Sequence, residues 1–244
     1  MKERLDKLLC DRGLVESRAK AAALIMAGQV TVAGQVVSKA GTNVDTQAAI
    51  ELKETYPYVS RGASKLEAAL DEFNVDLSGK VAADIGASTG GFTDLMLSRG
   101  VVRVYALDVG HGQLHYRLRQ DARVVNLEGV NVRTLEPGLV NEPCDIITFD
   151  VSFISLKLVL PPALELLKAG GDIVALIKPQ FEAGKDQVGK GGIVRDEGVI
   201  AAVLNDMQAF FTACGLTVSG IIPSPIKGAK GNQEYLIHAR KGQA

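Results

Sequence analysis

Short apolar segments and helical segments alternate through most of this chain, and that order constrains the fold more than any other feature. Five segments have the length and apolar content of strands, over residues 81–87, 102–109, 124–127, 145–150 and 172–178. Four segments have helical periodicity, over residues 63–73, 92–98, 155–168 and 196–214. The alternation predicts an α/β fold in which helices cover both faces of an open, mostly parallel sheet.

Two more strands are predicted near the end of the chain, over residues 218–222 and 235–239. Only a turn-rich stretch separates them, and it is too short for the crossover that joins parallel strands. The last strand of this seven-stranded sheet is therefore predicted to run antiparallel to the others.

The first fifty residues follow a different pattern. Two helices are predicted, over residues 4–10 and 18–27, and Ser17 suits the N-cap of the second. Two short strands follow, over residues 29–32 and 35–37, joined by an Ala-Gly turn. The predicted organisation is a small α+β domain over residues 1–54, a linker over 55–62 and a large domain over 63–244.

Composition excludes several classes of protein. Hydrophobic residues make up 47% of the chain, yet no run reaches the roughly 18–20 apolar residues that span a bilayer. The three cysteines are far apart and fit neither a disulfide framework nor a zinc site, so we expect a cytoplasmic protein that needs no metal. The net charge is −1, so any nucleic-acid binding must come from local basic patches.

A glycine-rich turn follows the first strand of the large domain, in the segment DIGASTGGFTD that begins at Asp84. Glycines there let the backbone approach a ligand closely, and their spacing differs from the dinucleotide fingerprint. The second strand ends in Asp108, an acid suited to ribose hydroxyls, and the third is followed by Glu128. The turn and the two acids together predict a nucleoside cofactor.

Four polar residues lie beside strand ends or near the sheet edge. Asp150 and Lys178 end the fourth and fifth strands, Glu234 begins the last strand, and Lys65 lies in the helix before the first strand. Carboxyl ends of parallel strands and the start of an antiparallel strand meet at one edge of a sheet. We therefore expect the four side chains to converge.

The N-terminal wording RLDKLLCDRGLVESRAKAAALIMAGQVTVAGQVV resembles the S4 (alpha-L) RNA-binding domain over about residues 2 to 50. That resemblance implies binding to structured RNA, with phosphate contacts from Arg4, Lys7, Arg18 and Lys20.

The large domain resembles S-adenosylmethionine-dependent methyltransferases with a Rossmann-like fold. The resemblance implies S-adenosyl-L-methionine as the cofactor and a binding set of Asp84, Gly86, Ser88, Gly90, Phe92, Asp108, Glu128 and Asp150. Lys65, Asp150, Lys178 and Glu234 resemble the Lys-Asp-Lys-Glu tetrad of FtsJ-like RNA 2'-O-methyltransferases.

The whole chain resembles the TlyA family, through the motifs VSRGASKL, DIGASTGGFTD, ALDVGHGQL, DVSFISL, KPQFE, GKGGIVRD and GNQEY. Membership implies 2'-O-methylation of a cytidine ribose in ribosomal RNA, and the short tail leads us to expect the large subunit. The segment beginning at Glu128 departs from the sequence expected for the family, because Gly129 and Val130 stand where an arginine and a threonine are expected.

The expected chemistry is proton removal from a ribose hydroxyl, with Lys178 as the acceptor, Lys65 on the ribose oxygen and the two acids orienting the lysines. Two glycine- and lysine-containing stretches, residues 184–192 and 223–231, read either as surface loops or as RNA clamps. Three rival functions stay open: a non-catalytic RNA-binding or ribosome-assembly factor, a membrane-active hemolysin, and a methyltransferase for a small molecule. The oligomeric state is left open as well.

Overall fold

The computed structural model describes residues 2–52, 56–136 and 138–243. The chain divides into two compact units, Met1–Pro57 and Tyr58–Ala244. This division falls inside the predicted linker, residues 55–62. Residue 55 of that linker, the predicted end of the first domain at residue 54 and both chain ends lie outside the described residues.

The first unit is a small α+β structure. Its elements are β1 (Lys2–Arg4), α1 (Leu5–Asp11), α2 (Arg18–Met26), β2 (Val30–Val32), β3 (Gln35–Val36), β4 (Asn43–Asp45) and β5 (Ile50–Leu52). The predicted helix pair and hairpin are present, and the Ser17 side chain caps α2 by accepting the Lys20 backbone N–H. The pairing of β1 with β4 and the addition of β5 beside β2 were not predicted, because three-residue strands carry almost no pattern.

The second unit alternates strands and helices. Its helices are α3 (Ala63–Glu72), α4 (Gly91–Ser98), α5 (Tyr116–Arg119), α6 (Leu156–Ala163), α7 (Pro179–Glu182) and α8 (Glu197–Ala213). Its strands are β6 (Val81–Ile85), β7 (Arg103–Asp108), β8 (Val124–Glu128), β9 (Cys144–Phe149), β10 (Leu167–Ile177), β11 (Leu216–Pro223) and β12 (Tyr235–Lys241).

These seven strands form one sheet in the order β11-β12-β10-β9-β6-β7-β8. Strands β10, β9, β6, β7 and β8 pair in parallel, whereas β12 pairs antiparallel with both β10 and β11. The prediction of a mostly parallel seven-stranded sheet with an antiparallel last strand is confirmed. As a result, the carboxyl ends of the parallel strands and the start of β12 share one edge.

The sheet is buried in the middle of the second unit. All five residues of β6 are buried, as are the last seven of β10. Among the largest buried side chains are Phe149 from β9, Phe211 from α8 and Leu66 from α3. None of the helices in the described ranges combines the length and the apolarity needed to cross a membrane.

One predicted boundary is wrong. The helix expected over residues 155–168 ends at Ala163, and a 3-10 turn over Leu164–Leu166 leads directly into β10. Leu167 already pairs with Cys144, and the pairing register shifts before Asp172. The sequence hid this because the run of leucines suits a buried helix and a buried strand equally, and the glycines that follow form an irregular stretch within a strand.

Candidate active site

Two adjoining cavities open at the sheet edge where the parallel strands end. The first, of about 350 Å³, we call the charged cavity because Lys65, Lys178, Asp84, Asp150 and Glu234 line it. The second, of about 300 Å³, we call the apolar cavity because half of its lining residues are aliphatic. The two share five lining residues: Gly86, Ser88, Asp150, Ser152 and Phe153.

The four polar residues predicted to converge form one continuous chain of charges in the charged cavity. Lys65 Nζ lies 2.6 Å from Glu234 Oε2 and 3.8 Å from Asp150 Oδ2. Lys178 Nζ lies 2.6 Å from Asp150 Oδ1. Both lysines and Glu234 are buried. The order Glu234–Lys65–Asp150–Lys178 alternates in sign, which offsets the high cost of taking single charges out of water.

Strand pairing positions three of these residues. Lys178 directly follows β10, and Glu234 directly precedes β12. Ile177 at the end of β10 pairs with Tyr235 at the start of β12, so the two flanking residues are neighbours. Asp150 directly follows β9, the parallel neighbour of β10 on its other side. Lys65 comes from the first turn of α3, which begins at Ala63. The lysine–carboxylate chain is therefore anchored to regular elements at every link.

Two neighbours of the charge chain were not singled out from the sequence. Lys178 Nζ also donates to Ser152 Oγ at 2.9 Å. Phe153, the next residue, is 91% exposed and has a left-handed backbone with φ of 64°, and its ring lies 5.1 Å from that of Phe181. An exposed aromatic residue in such a conformation costs about 1–3 kcal/mol of backbone strain. The sequence signals were the position of both residues just after a buried strand and their place in the motif DVSFISL.

The glycine turn brings backbone close to backbone. Gly86 has φ of 85°, and a Cβ there would lie 2.6 Å from the Asp150 carbonyl oxygen. Gly90 has φ of 93° and packs so tightly on Leu118 that a Cβ would overlap its side chain. Gly86, Ser88 and Phe92 line the charged cavity, whereas Gly90 lines neither cavity and allows the turn into α4.

The three acids near the turn have different surroundings. Asp84 is fully buried and accepts hydrogen bonds from the hydroxyls of Thr93 at 2.6 Å and Thr148 at 3.0 Å. Burial raises the pKa of its carboxyl to about 6. Asp108 accepts the backbone N–H groups of Ser88 at 2.8 Å and Gly110 at 2.7 Å, and it lines the apolar cavity.

Glu128 supports a loop and does not line either cavity. Its carboxylate accepts the backbone N–H of Gly112 at 2.9 Å and those of Gln113 and Leu114 at 3.0 and 3.3 Å, and Arg119 donates at 2.9 Å. The Gly112 N–H bond is the largest cause of a pKa lowered to about 2. The loop that Glu128 holds presents Gln113 to the apolar cavity, a contribution that the sequence did not reveal.

The apolar cavity fits a nucleoside. Leu107, Val130 and Val132 offer aliphatic surfaces to a flat base, and Asp108, Gln113 and Asn131 add polar groups for hydroxyls and ring nitrogens. The glycine turn at Gly86 leaves room that any larger residue would fill. Val130, which stands where the family sequence is expected to have a threonine, contributes directly to this surface.

The basic residues predicted for the first unit lie around acidic partners. Arg4 and Arg18 each place a guanidinium nitrogen 2.9 Å from Asp6 Oδ2, which holds the pKa of that carboxyl well below its usual range. Lys7 pairs with Asp11 at 3.1 Å and with Glu3. Arg4, Arg18 and Lys7 are at least half exposed, and Lys20 is exposed as well, so all four keep surface available to solvent.

Comparison with protein families matches both units. Residues 58–241 match the FtsJ-like methyltransferase family, and residues 3–50 match the S4 domain.

Individual relatives cover from 74% of this chain to all of it. The 16S/23S rRNA (cytidine-2'-O)-methyltransferase TlyA of Mycobacterium tuberculosis is 44% identical over 97% of this chain and 89% of its own length. The 23S rRNA (cytidine-2'-O)-methyltransferase TlyA of Campylobacter jejuni is 37% identical over 74% of this chain and 70% of its own length. A solved structure of a hemolysin-named protein from Streptococcus thermophilus is 45% identical, covers 100% of this chain and 90% of its own, and has a TM-score of 0.77.

Proposed function

The chain belongs to the FtsJ-like methyltransferase family, and we propose that it transfers a methyl group from S-adenosyl-L-methionine to the 2'-hydroxyl of a cytidine ribose in ribosomal RNA. The observation that carries this proposal is the buried chain Glu234–Lys65–Asp150–Lys178 beside a nucleoside-sized cavity. Because the proposed substrate is ribosomal RNA, we also propose that the protein acts in the cytoplasm.

The apolar cavity would hold the cofactor. Asp108 would bind the ribose hydroxyls, Val130 and Val132 would contact the base, and the backbone around Gly86 and Ser88 would contact the amino-acid part. Of the remaining predicted residues, Phe92 and Asp150 would contact the cofactor from the charged cavity, whereas Asp84, Gly90 and Glu128 would act by shaping the turn and the loop. When bound, the cofactor supplies an electrophilic methyl group on a sulfonium.

Lys178 is the proposed proton acceptor. In its neutral form, its Nζ would donate its two N–H groups to Asp150 and Ser152, and its lone pair would remain to accept the proton of the ribose hydroxyl in the charged cavity. The hydroxyl would donate its proton to Nζ as the oxygen accepts the methyl group. Lys65, held by Glu234 at 2.6 Å, would stabilise the developing negative charge on that oxygen.

The acceptor must be an unpaired nucleotide, because both lysines are buried at the base of the cavity. The exposed ring of Phe153 at the mouth of both cavities offers a face on which a displaced base stacks, as single-stranded RNA is commonly recognised. The S4 domain over residues 3–50 would add phosphate contacts from Arg4, Lys7, Arg18 and Lys20. The names of both TlyA relatives include 23S rRNA, so we propose large-subunit RNA as the substrate.

The proposal is tested by mapping ribose methylation across ribosomal RNA in cells with and without the protein. We expect one or more large-subunit cytidines to lose methylation, and wild-type protein to restore them. Lys178→Ala should bind cofactor within about threefold of wild type yet transfer methyl about 10³-fold more slowly, since a positioned base contributes about 10²–10⁴-fold.

Lys157→Ala is the matched control, because Lys157 is an exposed lysine paired with Asp206 outside both cavities. It should restore methylation fully. An unchanged methylation map would overturn the proposed substrate, and near-normal transfer by Lys178→Ala would overturn the proposed proton acceptor. Lysis of cells by protein free of contaminants would instead favour the hemolysin alternative.

A further inference from the structure

Two loops beside the charged cavity carry an excess of positive charge. We call residues 184–195 the first loop and residues 223–234 the second loop. Together they contain five basic and two acidic residues. Lys190, Arg195, Lys227 and Lys230 are exposed, and within the described ranges none of them lies at ion-pair distance from a carboxylate. By contrast, the exposed Arg117 and Arg119, which follow the loop that Glu128 holds, pair with Asp94 and Glu128.

A single buried side chain joins the two loops. Asn232, in the second loop, is only 2% exposed. Its Oδ1 accepts the Val194 backbone N–H at 3.1 Å, and its Nδ2 donates to the Gly192 carbonyl at 2.8 Å. Its own carbonyl accepts the Gly228 N–H at 2.9 Å within the second loop. All three contacts are to backbone, so Asn232 fixes the path of both loops.

The same contacts bring a basic group of the second loop, Lys230, close to the backbone of the first loop. The first loop turns back on itself between Gly189 and Ile193, and a Cβ at Gly192 would lie 3.9 Å from Lys230 Nζ. Lys230 itself has a left-handed backbone with φ of 62°. A lysine in that conformation is held at a cost of about 1–3 kcal/mol, as found where a backbone is shaped for a ligand.

The second loop also encloses a member of the charge chain. Glu234 follows Asn232 by two residues, and its carbonyl accepts the Ser224 N–H at 2.8 Å. Gly228 lies so close to the Glu234 carboxylate that a Cβ there would overlap it. Any change in the path of the second loop therefore reaches the carboxylate that holds Lys65.

We propose that the two loops form one surface for the RNA phosphate backbone, and that Asn232 is a positioning residue that couples this surface to Glu234. This inference rests on the proposed function, because it assigns the partner of the same site. Phosphates bound by the loop cations would stabilise the loop path in which Glu234 meets Lys65. Loss of the Asn232 amide would leave the Val194 N–H and the Gly192 carbonyl without their partners, and both loops would lose their common path.

The test compares Asn232→Ala, the pair Lys190→Gln/Lys230→Gln, and all three changes together. Binding of transcribed large-subunit ribosomal RNA is measured across salt concentrations, and kcat and KM for methyl transfer are measured in parallel. We expect the lysine pair to reduce the log–log salt slope by about 2, since each phosphate contact contributes about 1. Asn232→Ala should lower RNA affinity about tenfold and also reduce kcat, and adding the lysine changes should then have little further effect.

Equal RNA affinity and salt slope for Asn232→Ala and wild type would overturn the inference, and so would independent, additive effects of the three changes. Lys157→Gln serves as the control for loss of an exposed lysine on another element. Cofactor affinity within about threefold of wild type shows that a variant is folded. Asn232→Asp keeps the acceptor for the Val194 N–H, so its RNA affinity should fall between those of wild type and Asn232→Ala. RNA binding tests the surface formed by the two loops independently of catalysis. If wild type binds the RNA but transfers no methyl group, that result would count against the proposed function alone.

Discussion

The charged and apolar cavities share five lining residues, yet their walls are made of different groups. The charged cavity is built from long side chains that neutralise one another across 2.6 Å contacts. The apolar cavity is built from valines, leucine and a backbone turn shaped by Gly86. The difference supports the proposed division of work, in which the charged cavity would handle the proton and the apolar cavity would bind the nucleoside of the cofactor.

The acids beside the two cavities also differ, because their surroundings shift their pKa values in opposite directions. Asp84 lines the charged cavity without joining the charge chain, and burial raises its pKa to about 6. Glu128 lies behind the loop of the apolar cavity, where backbone N–H groups lower its pKa to about 2. The surroundings of Asp84 therefore disfavour its anion, whereas the backbone N–H groups around Glu128 favour its anion.

Asp150→Asn should produce the largest difference between the effect on methyl transfer and the effect on cofactor binding. Its carboxylate contacts both lysines, at 2.6 and 3.8 Å, whereas its main contribution to the glycine turn comes from its backbone carbonyl. We expect methyl transfer to fall about 10³-fold and cofactor affinity to fall less than about tenfold, because asparagine keeps the shape and one oxygen of the side chain that would contact the cofactor. Single-turnover rates and calorimetric binding give the two quantities. A loss of cofactor affinity greater than tenfold would show that the cavities do not divide the work.

Gly86→Ala should affect the apolar cavity first. A Cβ would lie 2.6 Å from the Asp150 carbonyl, and φ of 85° disfavours alanine, so we expect at least about a hundredfold loss of cofactor affinity. Gly79→Ala is the matched control, since Gly79 has φ of 71° with open space around it. The control should cost about 1 kcal/mol of stability and leave cofactor binding unchanged. Equal effects of the two changes on binding would contradict the role given to the turn.

Asp84→Asn tests the buried acid by its pH dependence. The folded-state pKa of about 6 lies above the unfolded value, so the stability contributed by the protonated carboxyl is present below about pH 4 and lost as the pH rises through about 6. Relative to Asp84→Asn, wild type should therefore lose about 2 kcal/mol between pH 4 and pH 8. Urea unfolding of both proteins at the two pH values measures it, and parallel responses would refute the assignment.

Much of the fold could be predicted because the second unit follows its sequence pattern closely. The apolar runs of β6, β9 and β10 are buried strands, and the short connection before β12 required an antiparallel partner. The end of α6 could not be placed, since the leucines around residue 164 suit either element and only the pairing of Leu167 with Cys144 decides between them. The three-residue strands of the first unit depend on tertiary partners and leave no periodic signal.

The site was predictable where a residue ends a strand and not where a loop folds over it. Asp150, Lys178 and Glu234 converge because strand pairing fixes their positions. Lys65 depended on family resemblance, since one lysine in a helix has no pattern of its own. Four residues near the cavities were not singled out because loop geometry decides where they lie: Ser152, Phe153, Gln113 and Asn232. Glu128 was expected to face the cofactor, and in the structure its carboxylate holds a loop. The roles of all these residues remain predictions.

The pair between Lys65 and Glu234 joins positions 169 residues apart. Glu234 leads into the last strand, which inserts between β10 and β11 instead of adding to an edge. This insertion is a slow kind of contact to form, because Lys65 and Glu234 are distant in sequence. During translation the charge chain therefore stays incomplete until Glu234 and β12 have emerged, and enzymatic activity reports directly that β12 has inserted between β10 and β11.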